Sequence, residues 1–294
     1  MADPRKTPVK PPLDLLRPAV RAMPGYTPGE QVADFVKLNT NEGAFPPSPK
    51  VMAALAAIQG AELLRLPFRQ IGRRYELPAD LARQRAKMIV LSNPNNPSAT
   101  LIPVDLLRAL CDEVADRSIV VVDEAYVDFA LGAGIDASML PYLGQHPNLC
   151  VLRTFSKSYS LAGARLGLLF ASPPIIEALT KIKDSYNVNA ITQALGIAAL
   201  EDRAAHEDAV RRTLDERARL EAALGDMGVS WPESAANFLL VEIGDQSEDV
   251  YQALKQQGLL VRFWRTPELR TKIRISVGKP DENDRLIAAL RASV

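Results

Sequence analysis

Lys157 stands just past the apolar run Leu149–Phe155 (LCVLRTF), where a strand end would leave its amine poorly solvated. Burial disfavours the protonated amine, so a lysine in such a place is a good Schiff-base nucleophile. Ser156 beside it and Arg165 eight residues on can hold a phosphate by hydrogen bond and charge. A solvated lysine in a surface turn is the plain alternative. Asp123 follows the run Ser118–Val122 (SIVVV), with Tyr126 three residues later. A carboxylate there can pair with a protonated ring nitrogen while the phenol donates to an oxyanion; equally, the aspartate can accept backbone N–H groups in a turn. The stretch Asn93-Pro94-Asn95-Asn96-Pro97 is turn chemistry by composition, with amide side chains available as donors. Arg274 alternates with Ile273 and Ile275 and so points away from their face, where its fork can grip a carboxylate. Arg262, within LLVRF, is similarly placed. Each arginine also reads as an ordinary salt-bridged or solvated one.

These residues need elements to carry them. Lys87–Ser92 (KMIVLS) is a short apolar run ending at the asparagine–proline stretch. Pro103–Asp116 reads as a helix with Leu106, Leu107, Leu110 and Val114 on one face. The runs 118–122 and 149–155 follow, the three runs being apolar on both faces. With a helix between the first two, they predict a parallel sheet buried on both sides. The polar clusters all lie past the carboxyl ends of the runs, the edge at which open α/β sheets bind ligands. Three separate motifs therefore converge on one crevice. Beyond them come LGLLFA (166–171), helical sequence at 173–185 and 190–224, and a compact α+β unit after Gly225. That unit contains FLLVEI (238–243), LLVRF (259–263), KIRISV (272–277) and helices near 248–257 and 283–292. The expected organisation is an arm over 1–30, rich in proline, a large domain over 31–224 and a small domain over 225–294.

Charge and composition exclude several classes. Lys plus Arg number 35 and Asp plus Glu 35, so the net charge is zero, against a broad surface for nucleic acid or an anionic membrane. Hydrophobic residues make up 47% and charged residues 24%, ordinary for a globular protein. Two cysteines, Cys111 and Cys150, and two histidines, His146 and His206, show no metal-ligand spacing, so no metal is expected. The start, MADPRKTPVKPPLDLL, lacks an apolar signal core, and no apolar run approaches a membrane span. A cytoplasmic protein is the expectation.

Taken together, a lysine, an aspartate, a tyrosine, an asparagine, a serine and arginines at one sheet edge match the needs of pyridoxal 5'-phosphate. The lysine supplies the Schiff base, and the aspartate keeps the pyridine nitrogen protonated. Tyrosine and asparagine bond the ring oxygen; serine and arginine take the phosphate. On the motifs LNTNEGAFPPSP (38–49), NPNNPSAT (93–100), VVDEAY (121–126), RTFSKSYSLAGARLG (153–167), YNVN (186–189) and IRISVG (273–278), the chain resembles the fold-type I, pyridoxal-phosphate-dependent aminotransferases. Within them it is most similar to the histidinol-phosphate aminotransferase family. The resemblance runs from about residue 10 to the end, with motif order and spacing as well as content.

The resemblance implies an α/β fold: a large domain with a mainly parallel sheet flanked by helices, plus a small α+β domain. It implies Lys157 as the catalytic Schiff-base lysine, Asp123 as partner of the pyridine nitrogen, and Tyr126 and Asn96 as ring-oxygen donors. Ser156 and Arg165 would bind the cofactor phosphate, and Arg274 the substrate α-carboxylate. Arg262 would meet a substrate phosphate, and Asn41 would touch substrate. The implied reaction is transamination of histidinol phosphate with 2-oxoglutarate in histidine biosynthesis, by a homodimer. Aromatic amino acid aminotransferase and phosphothreonine decarboxylase are the alternatives on this fold.

The chain departs from the family in three places. Ser98-Ala99 stand where the family reads Thr-Gly, and Gly43-Ala44-Phe45 where it reads Asn-Pro-Tyr, so a phenol is lost. PSPKVMAAL (47–55) and AAIQGAELLRLP (56–67) resemble family segments that lie well apart, so a stretch of about two βαβ units is expected to be missing near 54–57. With it would go a Gly-Ser-Asp phosphate turn, an aromatic ring-stacking residue and a tyrosine lent across the dimer. A natural chain longer than this one accounts for the gap best, because a domain short of core strands folds poorly. A deleted, cofactor-deficient scaffold without activity is the competing reading.

Overall fold

The computed structural model describes Val36, Lys37 and residues 62–294. Val36, Lys37 and residues 67–294 belong to one compact unit. Its strands are β1 Val36–Lys37, β2 Arg69–Ile71, β3 Arg74–Glu76, β4 Met88–Ser92, β5 Ile119–Asp123, β6 Leu149–Thr154, β7 Gly167–Ala171, β8 Phe238–Glu242, β9 Leu259–Leu260, β10 Arg262–Phe263 and β11 Lys272–Ser276. Its helices are α1 Val104–Glu113, α2 Val127–Gly132, α3 Pro173–Thr180, α4 Ala190–Glu201, α5 Arg203–Asp226, α6 Ser247–Gln256 and α7 Pro280–Arg291.

A four-stranded sheet in the order β4-β5-β6-β7 carries the motifs. The first three strands are parallel, as their two-sided apolar runs predict, and β7 returns antiparallel to β6. Register aligns Ser92 with Asp123 and Asp123 with Leu152, so the segments after β4, β5 and β6 leave the sheet at one edge. One face is packed: Ile89, Leu91, Val120, Val122, Leu149 and Val151 meet Leu107, Leu110, Cys111 and Val114 of α1 and the residue just past it. Pro103 at the amino end of α1 presets its entry, and Asp105 suits the positive end of the helix dipole. The buried stripe differs by one residue from the expected one, for Leu106 is 54% exposed. The stripe Leu107, Leu110, Cys111 and Val114 obeys the i, i+3, i+4, i+7 spacing; position 106 lies about 90° from its centre.

The expectation of a sheet buried on both faces holds at β6, where Leu149, Cys150 and Val151 are all buried, and fails at β4. Met88 and Val90 are 55% and 44% exposed, because alternate residues of β4 point away from α1. The helical sequence at 190–224 is two helices, not one. Asp202 divides them, its carboxylate accepting the N–H of Ala205 as the cap of α5. Helix α5 runs through Gly225 and stops at Gly228, whose φ of +71° suits the turn that ends it.

The carboxyl-terminal part is a three-stranded antiparallel sheet, β10-β11-β8, under α5, α6 and α7. Leu239, Val241, Ile273 and Ile275 pack on Leu220, Leu224, Val250, Leu254, Leu286 and Leu290. Their side chains occupy one face by the period of two, and this sets the intervening residue, Arg274, on the other.

Candidate active site

The asparagine–proline stretch serves two purposes. Asn93 is fully buried; its amide donates to the carbonyls of Ile102 and Ala137, and its Oδ1 accepts the N–H of Ile102 at 2.7 Å. It is a brace that holds the loop. Three residues on, Asn96 donates from Nδ2 to Tyr126 Oη at 3.1 Å and accepts from Arg274 Nη1 at 2.6 Å. Arginine has no acceptor, so the orientation of this amide is dictated: its oxygen must face Arg274 and its nitrogen Tyr126. Tyr126 therefore accepts from Asn96.

Lys157, 8% exposed, lies with its Nζ 5.2 Å from the centre of the Tyr126 ring. Asp123 closes β5, its Oδ1 accepting the N–H of Ala125 at 3.0 Å. Burial holds its carboxyl above the usual carboxylate range, while the Ala125 N–H and the charge of Lys157 pull it partly back. The turn that the sequence offered as an alternative role is thus present and coexists with the facing lysine. Ser156 is buried beside Lys157. The chain then folds back so that the N–H of Phe155 bonds the carbonyl of Leu166, which leaves Arg165 and Ser156 each one residue from that pair. Arg165 itself is exposed, at a φ of +55°, and donates to the carbonyl of Ala162.

Arg274 is 1% exposed, set over Phe238 at 5.2 Å and Trp264 at 5.6 Å. Burial drives its guanidinium down to about 10, Tyr126 raises it and the charge of Arg262 lowers it further. Arg262 is its direct register partner on β10 and lies 5.5 Å from the same Trp264 ring. The Nε of Arg262 is buried with no hydrogen-bond partner. Two cations directly opposite across strands repel each other, and an anion between them relieves that cost.

The structure thus gathers Asn96, Asp123, Tyr126, Lys157, Arg262 and Arg274, with Ser156 alongside; Arg165 is exposed, and Asn41 lies outside the described residues. Trp264 and Phe238, the aromatic floor of the arginine pair, escaped the sequence reading, although Trp264 follows LLVRF directly. Ala99 shows how the lost glycine is tolerated. Its φ of +64° is the left-handed region, costing about 1 kcal/mol for a residue with Cβ. Its methyl is fully buried in a cluster with Tyr126, Phe129 and Phe238. A concavity of about 600 Å³ is lined by Asp128, Tyr159, Arg203 and His206 and holds none of the predicted reacting groups.

The donor set fits pyridoxal phosphate at its ring end: an amine for a carbonyl, a carboxylate for a ring nitrogen, and a phenol and amide for a ring oxygen. The model for aminotransferase class I and II matches residues 13–290, and the chain belongs to that family, as a pyridoxal-phosphate-dependent aminotransferase of fold type I. Within the family its similarity is to histidinol-phosphate aminotransferases. Such a protein from Nostoc sp. is 32% identical over 94% of this chain and 97% of its own length. One from Bradyrhizobium diazoefficiens is 34% identical over 93% and 97%. The histidinol-phosphate aminotransferase of Sinorhizobium meliloti, solved in complex with pyridoxal 5'-phosphate, superposes with a TM-score of 0.74 at 29% identity, covering 87% of this chain and 68% of that one. The Nostoc protein aligns over 351 positions against a chain of 294 residues, so at least 351 − 294 = 57 of those positions have no counterpart here. No helix among the described residues is long and apolar enough to cross a membrane.

Proposed function

We propose that this chain transfers the amino group between histidinol phosphate and 2-oxoglutarate, in the cytoplasm, as a homodimer. The observation that carries the reading is the Asn96 amide bridging Tyr126 and Arg274 while Lys157 lies against the same tyrosine ring. The bound cofactor supplies an electron sink for the charge that develops at the substrate α-carbon. Lys157 is the nucleophile that holds the cofactor and, once released from it, the base that moves the α-proton. Asp123 maintains a proton on the ring nitrogen. Tyr126 and Asn96 hold the ring oxygen, and Ser156 and Arg165 face the phosphate. Arg274 grips the α-carboxylate of glutamate or 2-oxoglutarate. Arg262, opposite it, takes the substrate phosphate, and Asn41 completes the substrate contacts.

Two adjacent arginines with an aromatic floor suit one doubly charged anion, which supports the phosphate of histidinol phosphate over a purely aromatic side chain. The names of the relatives support the same choice. Pairing with a second copy is supported by large apolar residues left exposed along α4, with Ile191 at 75% and Ile197 at 58%. The test is direct. The protein with pyridoxal phosphate should become yellow, and borohydride should remove the colour and leave the label on Lys157. Arg262→Ala should lower kcat/KM for histidinol phosphate by at least tenfold and leave phenylalanine turnover within about twofold. Unchanged histidinol-phosphate turnover in that variant would overturn the phosphate assignment.

A further inference from the structure

One guanidinium ties together the chain segments that carry the reacting groups. Arg153, on β6, donates from Nε to Glu124 Oε2 at 2.8 Å, from Nη1 to Asp128 Oδ1 at 3.0 Å and from Nη2 to Ser138 Oγ at 3.0 Å. Glu124 is 1% exposed and also accepts from the N–H of Met139 and the hydroxyl of Ser138. The second oxygen of Asp128 accepts the hydroxyl of Ser158, a buried residue. On the outer side of Asp128 lies His206, its Nε2 3.6 Å away and its ring stacked on Tyr159 at 4.0 Å.

The anchors are chain neighbours of the reacting groups. Glu124 follows Asp123, Asp128 lies two residues past Tyr126, and Ser158 follows Lys157. The β5–α2 turn, β6 and the lysine loop are therefore cross-linked by one network. We propose that Arg153 is a positioning residue, holding Asp123, Tyr126 and Lys157 in one frame through Glu124, Asp128 and Ser158. This rests on the reading of the Lys157 cluster as the pyridoxal-phosphate site. A planar fork satisfied along three directions has few alternative orientations, unlike a lysine, whose ammonium is a point charge on a flexible stem. Burial pushes the Glu124 carboxyl up and Arg153 pulls it back, so the charge of Glu124 depends on its partner. A shift of the frame by an ångström is enough to cost a reaction up to a hundredfold, roughly.

The experiment compares the full chain with Ser158→Ala, Arg153→Met and Arg153→Lys. Three quantities are read: the pyridoxal phosphate needed for half-maximal borohydride capture on Lys157, the visible circular dichroism of the bound cofactor, and Tm without cofactor. Ser158→Ala cuts only the last link, between Asp128 and the lysine loop, and should hold Tm within about 2 °C. It should nonetheless raise the half-capture concentration about tenfold and weaken the visible ellipticity. Arg153→Met should lose capture and Tm together, and Arg153→Lys should restore Tm more than capture. The positioning role is overturned if Ser158→Ala matches wild type in capture and ellipticity, or if Arg153→Lys restores both in full. A wild-type protein that takes up no pyridoxal phosphate overturns the site reading itself, whereas wild-type uptake with an unaltered Ser158→Ala overturns the positioning role alone.

Discussion

Asp123→Asn should make the cofactor-free protein more stable and the cofactor-loaded protein worse. The carboxyl is shifted upward chiefly by burial, against the Ala125 N–H and the charge of Lys157. Its folded pKa exceeds the unfolded one, so the native state holds the proton more tightly than the unfolded chain does. The stability it contributes is complete below the ordinary carboxylate range and is lost as pH rises through the raised value. At neutral pH the ionised group works against the fold. Asparagine retains an Oδ1 to accept the Ala125 N–H, now at 3.0 Å from the carboxylate, and carries no charge to bury. The gain at pH 7 should be about 1 kcal/mol, typical of exchanging a functional residue for a neutral one, and worth roughly 2–4 °C in Tm for a body of this size. Thermal melts of both proteins at pH 7 and pH 4, without cofactor, read it: a higher Tm for the variant at pH 7 and coincident curves at pH 4. Saturating pyridoxal phosphate should reverse the order, since ligand stabilisation follows RT ln(1 + [L]/Kd) and the variant lacks the charged partner of the ring nitrogen. An equal gain at both pH values, or a loss at pH 7, would show that burial of this charge is not what shifts it.

Two further outcomes follow from packing. Gly132→Ala at the end of α2 would set a Cβ 2.5 Å from Val210 Cγ1 on α5, a stiff β-branched side chain; denaturant titration should show a loss of about 1–3 kcal/mol, and no loss would mean that α2 and α5 can separate freely. Cys111 is fully buried in the sheet core, and burial pushes its thiol to about 11, so iodoacetamide at pH 8 should label it only after urea is added.

The parallel strands β4 to β6 and the convergence of their ends were legible because two-sided apolar runs have one good home, a buried parallel sheet, and its ligand edge follows from chain direction. Less legible were features that depend on which face is covered. The exposure of Met88 and Val90 and the misplaced Leu106 could not be read from local pattern, because hydrophobicity records what a side chain prefers and not whether a neighbour arrives to cover it. Trp264 and Phe238 were invisible as site residues for a related reason: an aromatic in an apolar run has no spacing that distinguishes a site floor from core.

Residue type and order by themselves determined the chemistry available: an amine, a carboxylate, a phenol and an amide at strand ends, and arginines set against isoleucines. These are properties of single residues and of strand periodicity, and a chain carries them without folding. Only the tertiary structure decided that Asn96, 178 residues from Arg274, joins it to Tyr126, and that Arg262 and Arg274 are direct partners across β10 and β11. It alone decided, too, that Arg153 binds Glu124, Asp128 and Ser138 at once. Hydrogen bonds act over about 3 Å, and only the packed sheets bring groups so distant in sequence within that reach.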